Sequence, residues 1–176
     1  MDRDFFARGS VELAPQLLNK VLVAGPCAGR IVEVEAYRAD DPASHSFRGR
    51  TARNAVMFGP PGHLYVYFTY GLHFCANVVA ATDGDAQAVL LRALLPLRGI
   101  ELMRRRRSGR DDAILTNGPG KLCQAMGIDR RHDGADLCSD AELSIVDDGT
   151  PPPLAPAVTT RIGIRLATDQ PWRWLA

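Results

Sequence analysis

Residues 63–77, HLYVYFTYGLHFCAN, are two runs of aromatic and β-branched side chains with only Tyr70-Gly71 between them. A connection that short joins antiparallel strands, because a parallel pair needs a crossover of a dozen or more residues. The run AVLLRALL (88–95) follows the turn TDGDAQ (82–87) and predicts the third strand of a meander. Upstream, KVLVAG (20–25) and GRIVEVEAY (29–37) are separated by Pro26 and Gly29 and predict a second hairpin. The chain is therefore constrained early to a mainly antiparallel sheet.

The remaining segments predict elements that flank this sheet. Ser10 is placed to cap a helix with Leu13, Leu17 and Leu18 on one face and Pro15 near its start. GIELMRRRRSG (99–109) has helical composition, and NGPGKLCQAMGI (117–128) opens a helix at Pro119 and closes it at Gly127. ELSIVDDG (142–149) and TRIGIRLA (160–167) predict late strands around a proline-rich crossover, TPPPLAPA (150–157). Residues 38–61 lack any period and predict a long loop, a common carrier of function. There is no internal repeat, and 176 residues with 46% hydrophobic and 23% charged residues suit one domain, residues 1–176, of the α+β class.

A formal net charge of +1 gives no global case for a nucleic-acid or membrane partner. Cys27, Cys75, Cys123 and Cys138 are scattered, without a C-x-x-C or a His at zinc-finger spacing, so a structural metal is not expected. The first twenty residues lack the apolar core of a signal peptide, and no run reaches the roughly 18 apolar residues of a membrane span. An intracellular protein with reduced thiols is expected.

Candidate chemistry follows from strand parity. Alternation in RIVEVEAY puts Val32, Val34 and Ala36 on one face and Glu33, Glu35 and Tyr37 on the other. That polar face is either a solvated strand surface or a general base beside an aromatic platform. In HLYVYFTY, Tyr65, Tyr67 and Thr69 share one face, and Tyr70 falls at the hairpin tip, as a strand-end residue or as a wedge into a partner. On the return strand His73, Cys75 and Asn77 share a parity, and pairing register decides whether Asn77 faces Tyr67. Arg92, on an apolar strand, needs a carboxylate or an anionic ligand. His45 lies in the long loop, where histidines are usually solvated. Arg53 and its neighbours Arg48 and Arg50, the Arg104–Arg107 run and Lys121 make local basic patches, either solvated or phosphate-binding.

The ordered set VEVEAY, ASHSFRGRTARNAVMFGPPGHLYVYFTYGLHFCANV, AVLLRALLP and NGPGKLCQAMGI resembles the alkyladenine (3-methyladenine) DNA glycosylase family, from about Leu13 to the C-terminal PWRW. The resemblance implies a single curved-sheet domain whose hairpin protrudes into the DNA minor groove. It implies hydrolysis of the N-glycosidic bond of alkylated or deaminated purines in double-stranded DNA, by a monomer without cofactor. By resemblance Glu35 is the general base and Arg92 the arginine beside it. Tyr37, His45 and Tyr67 wall the base pocket, Asn77 disfavours unmodified guanine, and Tyr70 fills the gap left by the flipped nucleotide. Arg53 and Lys121 are candidate DNA-backbone contacts. His73 stands where some relatives have tyrosine, and the 82–87 turn is a further departure.

Two lysines, Lys20 and Lys121, stand beside 19 arginines, which leaves little provision for a Schiff-base lyase and favours a monofunctional enzyme. Two other readings stay open. One is a lesion-binding module that flips bases without cleaving. The other is a carbohydrate glycosidase using Glu33 and Glu35, whose i, i+2 spacing of roughly 7 Å suits neither acid/base geometry well.

Overall fold

The computed structural model describes residues 1–176. Eight strands form one curled antiparallel sheet: β1 (Val21–Ala24), β2 (Cys27–Tyr37), β3 (Leu64–Thr69), β4 (His73–Ala80), β5 (Gln87–Arg98), β6 (Leu143–Val146), β7 (Ala157–Thr159) and β8 (Arg173–Leu175). The main order is β3-β4-β5-β2-β1-β6, and β8 pairs with both β2 and β7. Four helices flank it: α1 (Arg3–Phe6), α2 (Ser10–Leu17), α3 (Ile100–Arg106) and α4 (Pro119–Met126). No helix is long and apolar enough to cross a membrane.

The expected meander and upstream hairpin are both present. The core follows the parity of β3 and β4: Leu64, Val66, Ala76, Val78 and Ala80 are buried against α4 residues Leu122, Cys123 and Met126 and α2 residues Leu13 and Leu17. Burial of these side chains contributes about 1.5–3 kcal/mol for each large one, which holds the helices on one face of the sheet. The opposite face is left to a long loop, which turns through a short 3-10 segment at Ala55–Phe58.

Three local expectations need correction. Ser10 is the first residue of α2, not its cap: Gly9 takes the cap position, and the side-chain carbonyl of Gln87 accepts from both Ser10 N–H and Ser10 Oγ–H. Val32 does not share the core face with Val34 and Ala36. The β2–β5 register passes from Ile31↔Leu94 to Glu33↔Ala93 and then to Val34↔Leu91, so Val32 is an extra residue on β2 and Arg92 an extra residue on β5. These two bulges offset each other, and Ile31 takes the core place that strict alternation gave to Val32. Finally, TRIGIRLA is not a strand. Residues 160–167 run as an irregular strap between β7 and the Trp172 approach to β8.

Gly99 joins β5 to α3 at φ +76°, where an added Cβ would lie 2.8 Å from Pro26 O and 2.9 Å from Cys27 Sγ. Gly25, at φ +53°, faces open space. Gly25→Ala is expected to cost about 1 kcal/mol of left-handed strain. Gly99→Ala adds a backbone clash and is expected to cost about 2–4 kcal/mol. Urea unfolding of the two variants checks the order.

Candidate active site

A cavity of about 490 Å³ opens on the sheet face away from the main core, between the long loop, the β3–β4 hairpin and the strap. Its size fits a small-molecule site. Tyr37, His45, Arg53, Tyr67, Tyr70, Asn77 and Arg92 all line it, so residues spread over 56 positions of sequence meet at one place. Lys121 is apart from the wall: it lies in the first turn of α4, where its Nζ donates to Asn117 Oδ1 at 2.8 Å. Its neighbour Pro119 does line the cavity, and Gly120 packs so closely under His73 that a Cβ there would lie 2.8 Å from the imidazole.

Glu35 has no solvent exposure and lies immediately behind the cavity wall. A buried carboxylate must find donors, and three converge on it. Arg92 lies 3.1 Å from Oε1, the backbone N–H of Ile162 donates to the same oxygen at 2.8 Å, and Tyr37 Oη donates to Oε2 at 2.8 Å. Arg92 also donates through Nε to Glu33 Oε1 at 2.8 Å, and Arg173 Nε reaches that oxygen at 2.6 Å. The β5 bulge is what lets one guanidinium face both carboxylates, because it turns Arg92 out of the alternation. Burial would lower the Arg92 pKa, but Glu35 and Glu33 outweigh it and raise the value. Glu33 is thereby committed to two arginines, which counts against its service as one half of a glycosidase acid/base pair.

Aromatic residues form the facing wall. Tyr65 and Tyr67 stack with ring centroids 5.5 Å apart, and the His45 ring sits edge-on to Tyr67 at 4.4 Å. His45 is held there by an Nδ1···Tyr65 Oη hydrogen bond of 3.0 Å, so it is placed rather than freely solvated. Its backbone is fixed too: buried Asn54 donates to His45 O and Gly49 O and accepts from Thr51 N–H and Oγ–H. Burial, helped by the nearby Arg53 charge, lowers the His45 pKa and keeps the imidazole neutral near pH 7. Asn77 lies opposite Tyr65 in the β3–β4 register, one diagonal step from Tyr67, and its Nδ2 donates to Tyr65 O at 3.1 Å. Its amide is therefore tied to the sheet while one edge faces the cavity.

Tyr70 and Gly71 turn the hairpin at φ +51° and +66°, the sign pattern of a type I′ turn, with Leu72 N–H bonded to Thr69 O. Tyr70 is 83% exposed at the tip and Leu72 is 77% exposed beside it. Arg53 is exposed at the cavity rim, its guanidinium 5.7 Å above the Tyr67 ring and bonded to Phe68 O at 3.3 Å.

The strap was missed in sequence. Ile162, Gly163 and Ile164 line the cavity, and Arg161 is buried against Asp41. The alternation of TRIGIRLA looks like a strand, and only the pairing of β7 and β8 on either side shows that it must loop.

Burial raises the pKa of three phenols: Tyr65 to about 12, and Tyr37 and Tyr67 further. For Tyr37 the adjacent Glu35 charge adds to burial. The unfolded chain ionises near pH 10, so this contribution to stability is complete below that and is lost as pH rises. At about pH 11 the folded protein is expected to lack the tyrosinate absorbance of three phenols relative to the urea-unfolded chain. A spectrophotometric titration measures the difference.

The chain matches the methylpurine-DNA glycosylase (MPG) family over residues 4–176. A Burkholderia lata relative is 57% identical, over 99% of this chain and 86% of its own length. A Rhodopseudomonas palustris relative is 50% identical, over 98% of this chain and 84% of its own length. One from Carboxydothermus hydrogenoformans is 46% identical, over 99% of this chain and 93% of its own length. All three carry 3-methyladenine DNA glycosylase in their names. With the match spanning every strand that builds the cavity, this chain belongs to the methylpurine-DNA glycosylase family.

Proposed function

We propose that this protein is a monofunctional DNA glycosylase of base excision repair that removes alkylated and deaminated purines, among them 3-methyladenine, 7-methylguanine and hypoxanthine. The observation that carries the reading is a fully buried carboxylate, Glu35, held by Arg92, Tyr37 and the Ile162 amide directly behind an aromatic cavity. A base inside a duplex cannot reach such a cavity, so the nucleotide must be extruded at a cost of about a few kcal/mol. Tyr70 on its exposed tip is placed to fill the vacated step.

Tyr37 and Tyr67 would stack on the extruded base, at about 1–3 kcal/mol each, and favour a cationic alkylpurine further. Glu35 would take a proton from a water as that water bonds to the anomeric carbon. The N-glycosidic electron pair departs with the base, which leaves neutral when it began as a cation and, for neutral hypoxanthine, leaves as an anion that takes up a proton from water. Oε2 accepts only the Tyr37 hydrogen bond and is the oxygen with capacity for the water. The negative charge of Glu35 also offsets the positive charge that develops on the sugar.

The positioning of Asn77 supports discrimination against unmodified guanine, whose exocyclic amine would meet an amide already fixed by Tyr65 O. Arg53 at the rim and Lys121 on α4 are assigned contacts with phosphates beside the lesion. The chain acts as a monomer, and Glu35 needs neither metal nor cofactor for the proton transfer described.

Glu35→Gln is expected to retain binding to lesion-containing duplex while base release falls by about 10²–10⁴-fold. Mass-spectrometric detection of freed bases decides this, and wild-type activity in the variant would sink the assignment. Tyr70→Ala, at an exposed site, should leave the fold unchanged and slow excision most at well-stacked lesions. Equal single-turnover rates for it and wild type in every sequence context would remove the wedge role.

A further inference from the structure

We infer that Arg161 is a positioning residue for excision: its buried guanidinium, paired with Asp41 and lying over the rings of both Tyr37 and Trp172, fixes two of the three donors that hold Glu35. The inference rests on the reading of Glu35 as general base and extends it to a residue with no contact to the cavity contents.

Neither the Arg161 nor the Asp41 side chain has any exposure. Arg161 Nη1 donates to Asp41 Oδ2 and to Ala36 O at 3.0 Å, and Nη2 donates to Asp41 Oδ1 at 3.1 Å and Ala167 O at 3.2 Å. The guanidinium carbon lies 4.6 Å from the Tyr37 ring centroid and 5.1 Å from that of Trp172. One side chain thus ties together the end of β2, the turn at Asp41, the far end of the strap and the segment leading to β8.

Each tie bears on Glu35. Ala36 separates Glu35 from Tyr37, so the bond to Ala36 O fixes the backbone between base and phenol. The guanidinium lies over the Tyr37 ring and restrains it, and the Oη of that ring donates to Oε2. Ile162 directly follows Arg161, so anchoring one side chain anchors the next amide, which donates to Oε1.

Stability alone does not explain the arrangement. A buried ion pair roughly breaks even against apolar residues of the same volume, and Arg161 Nε is buried with no hydrogen-bond partner. What only an arginine provides is a rigid plane with two faces and donors at both ends.

The test compares single-turnover release of hypoxanthine from a duplex with the dissociation constant for the same duplex. Arg161→Lys keeps the positive charge opposite Asp41 but lacks the planar group that lies over both rings and bonds all three segments. Its excision rate is expected to fall at least ~10-fold, as misplacement of a catalytic group does, while the dissociation constant stays within about 3-fold of wild type. The pair Arg161→Gln with Asp41→Asn removes both charges together, so no buried charge is stranded, and it should show the same split. A wild-type excision rate in either folded variant overturns the inference, as does a parallel loss of rate, binding and melting temperature. A wild-type protein that releases no damaged base removes the functional reading itself, and this inference with it.

Discussion

A carboxylate without solvent access is the constraint around which the rest of this molecule is arranged. Leaving Glu35 charged in the sheet would be untenable without compensation, and compensation arrives from three directions. Arg92 comes from β5, Tyr37 from the same strand two residues on, and Ile162 from the strap. Glu33 and Arg173 complete a cluster of two carboxylates and two guanidiniums whose charges balance. This explains why β2 is flanked by β5 on one side and β8 on the other over Glu33–Glu35: each neighbouring strand brings a cation.

The pocket wall is rigid for a different reason. Tyr65, Tyr67 and His45 hold each other by edge contacts, stacking and one hydrogen bond, while Asn54 closes the loop that delivers His45. The long loop therefore lacks regular structure but not order. Thr51 and Asn54 bond within it and Ser46 bonds to Ala86 O, and a binding surface held this way loses little entropy when a ligand arrives.

Much of this was legible from the chain. The Tyr70-Gly71 turn fixed the β3–β4 hairpin, and period-two alternation separated core-facing Leu64 and Val66 from pocket-facing Tyr65 and Tyr67. Alternation failed where the backbone itself departs from the ladder. The paired bulges at Val32 and Arg92 carry no turn residue to mark them: Val32 is an ordinary strand residue, and Arg92 stands out by its charge, which does not reveal a register shift. The strap failed for the opposite reason: TRIGIRLA alternates well, but with no neighbouring strand to pair with, its polar groups turn inward to Asp41 and Glu35 instead. Asp41–Arg161 spans 120 positions, a distance at which local pattern has no reach.

The turn at Tyr70 sets stability against use. A tyrosine at φ +51° sits in a backbone region that glycine occupies freely and bulky side chains do not, and its ring gains almost nothing from packing because it is largely in water. Selection for a tighter fold alone would replace it with glycine or asparagine. A large aromatic in a position that penalises it, with its ring mostly in water, is what the proposed wedge role would require. The folded protein carries that backbone cost at rest, and a tip so strained offers the stability engineer a site where glycine would tighten the fold.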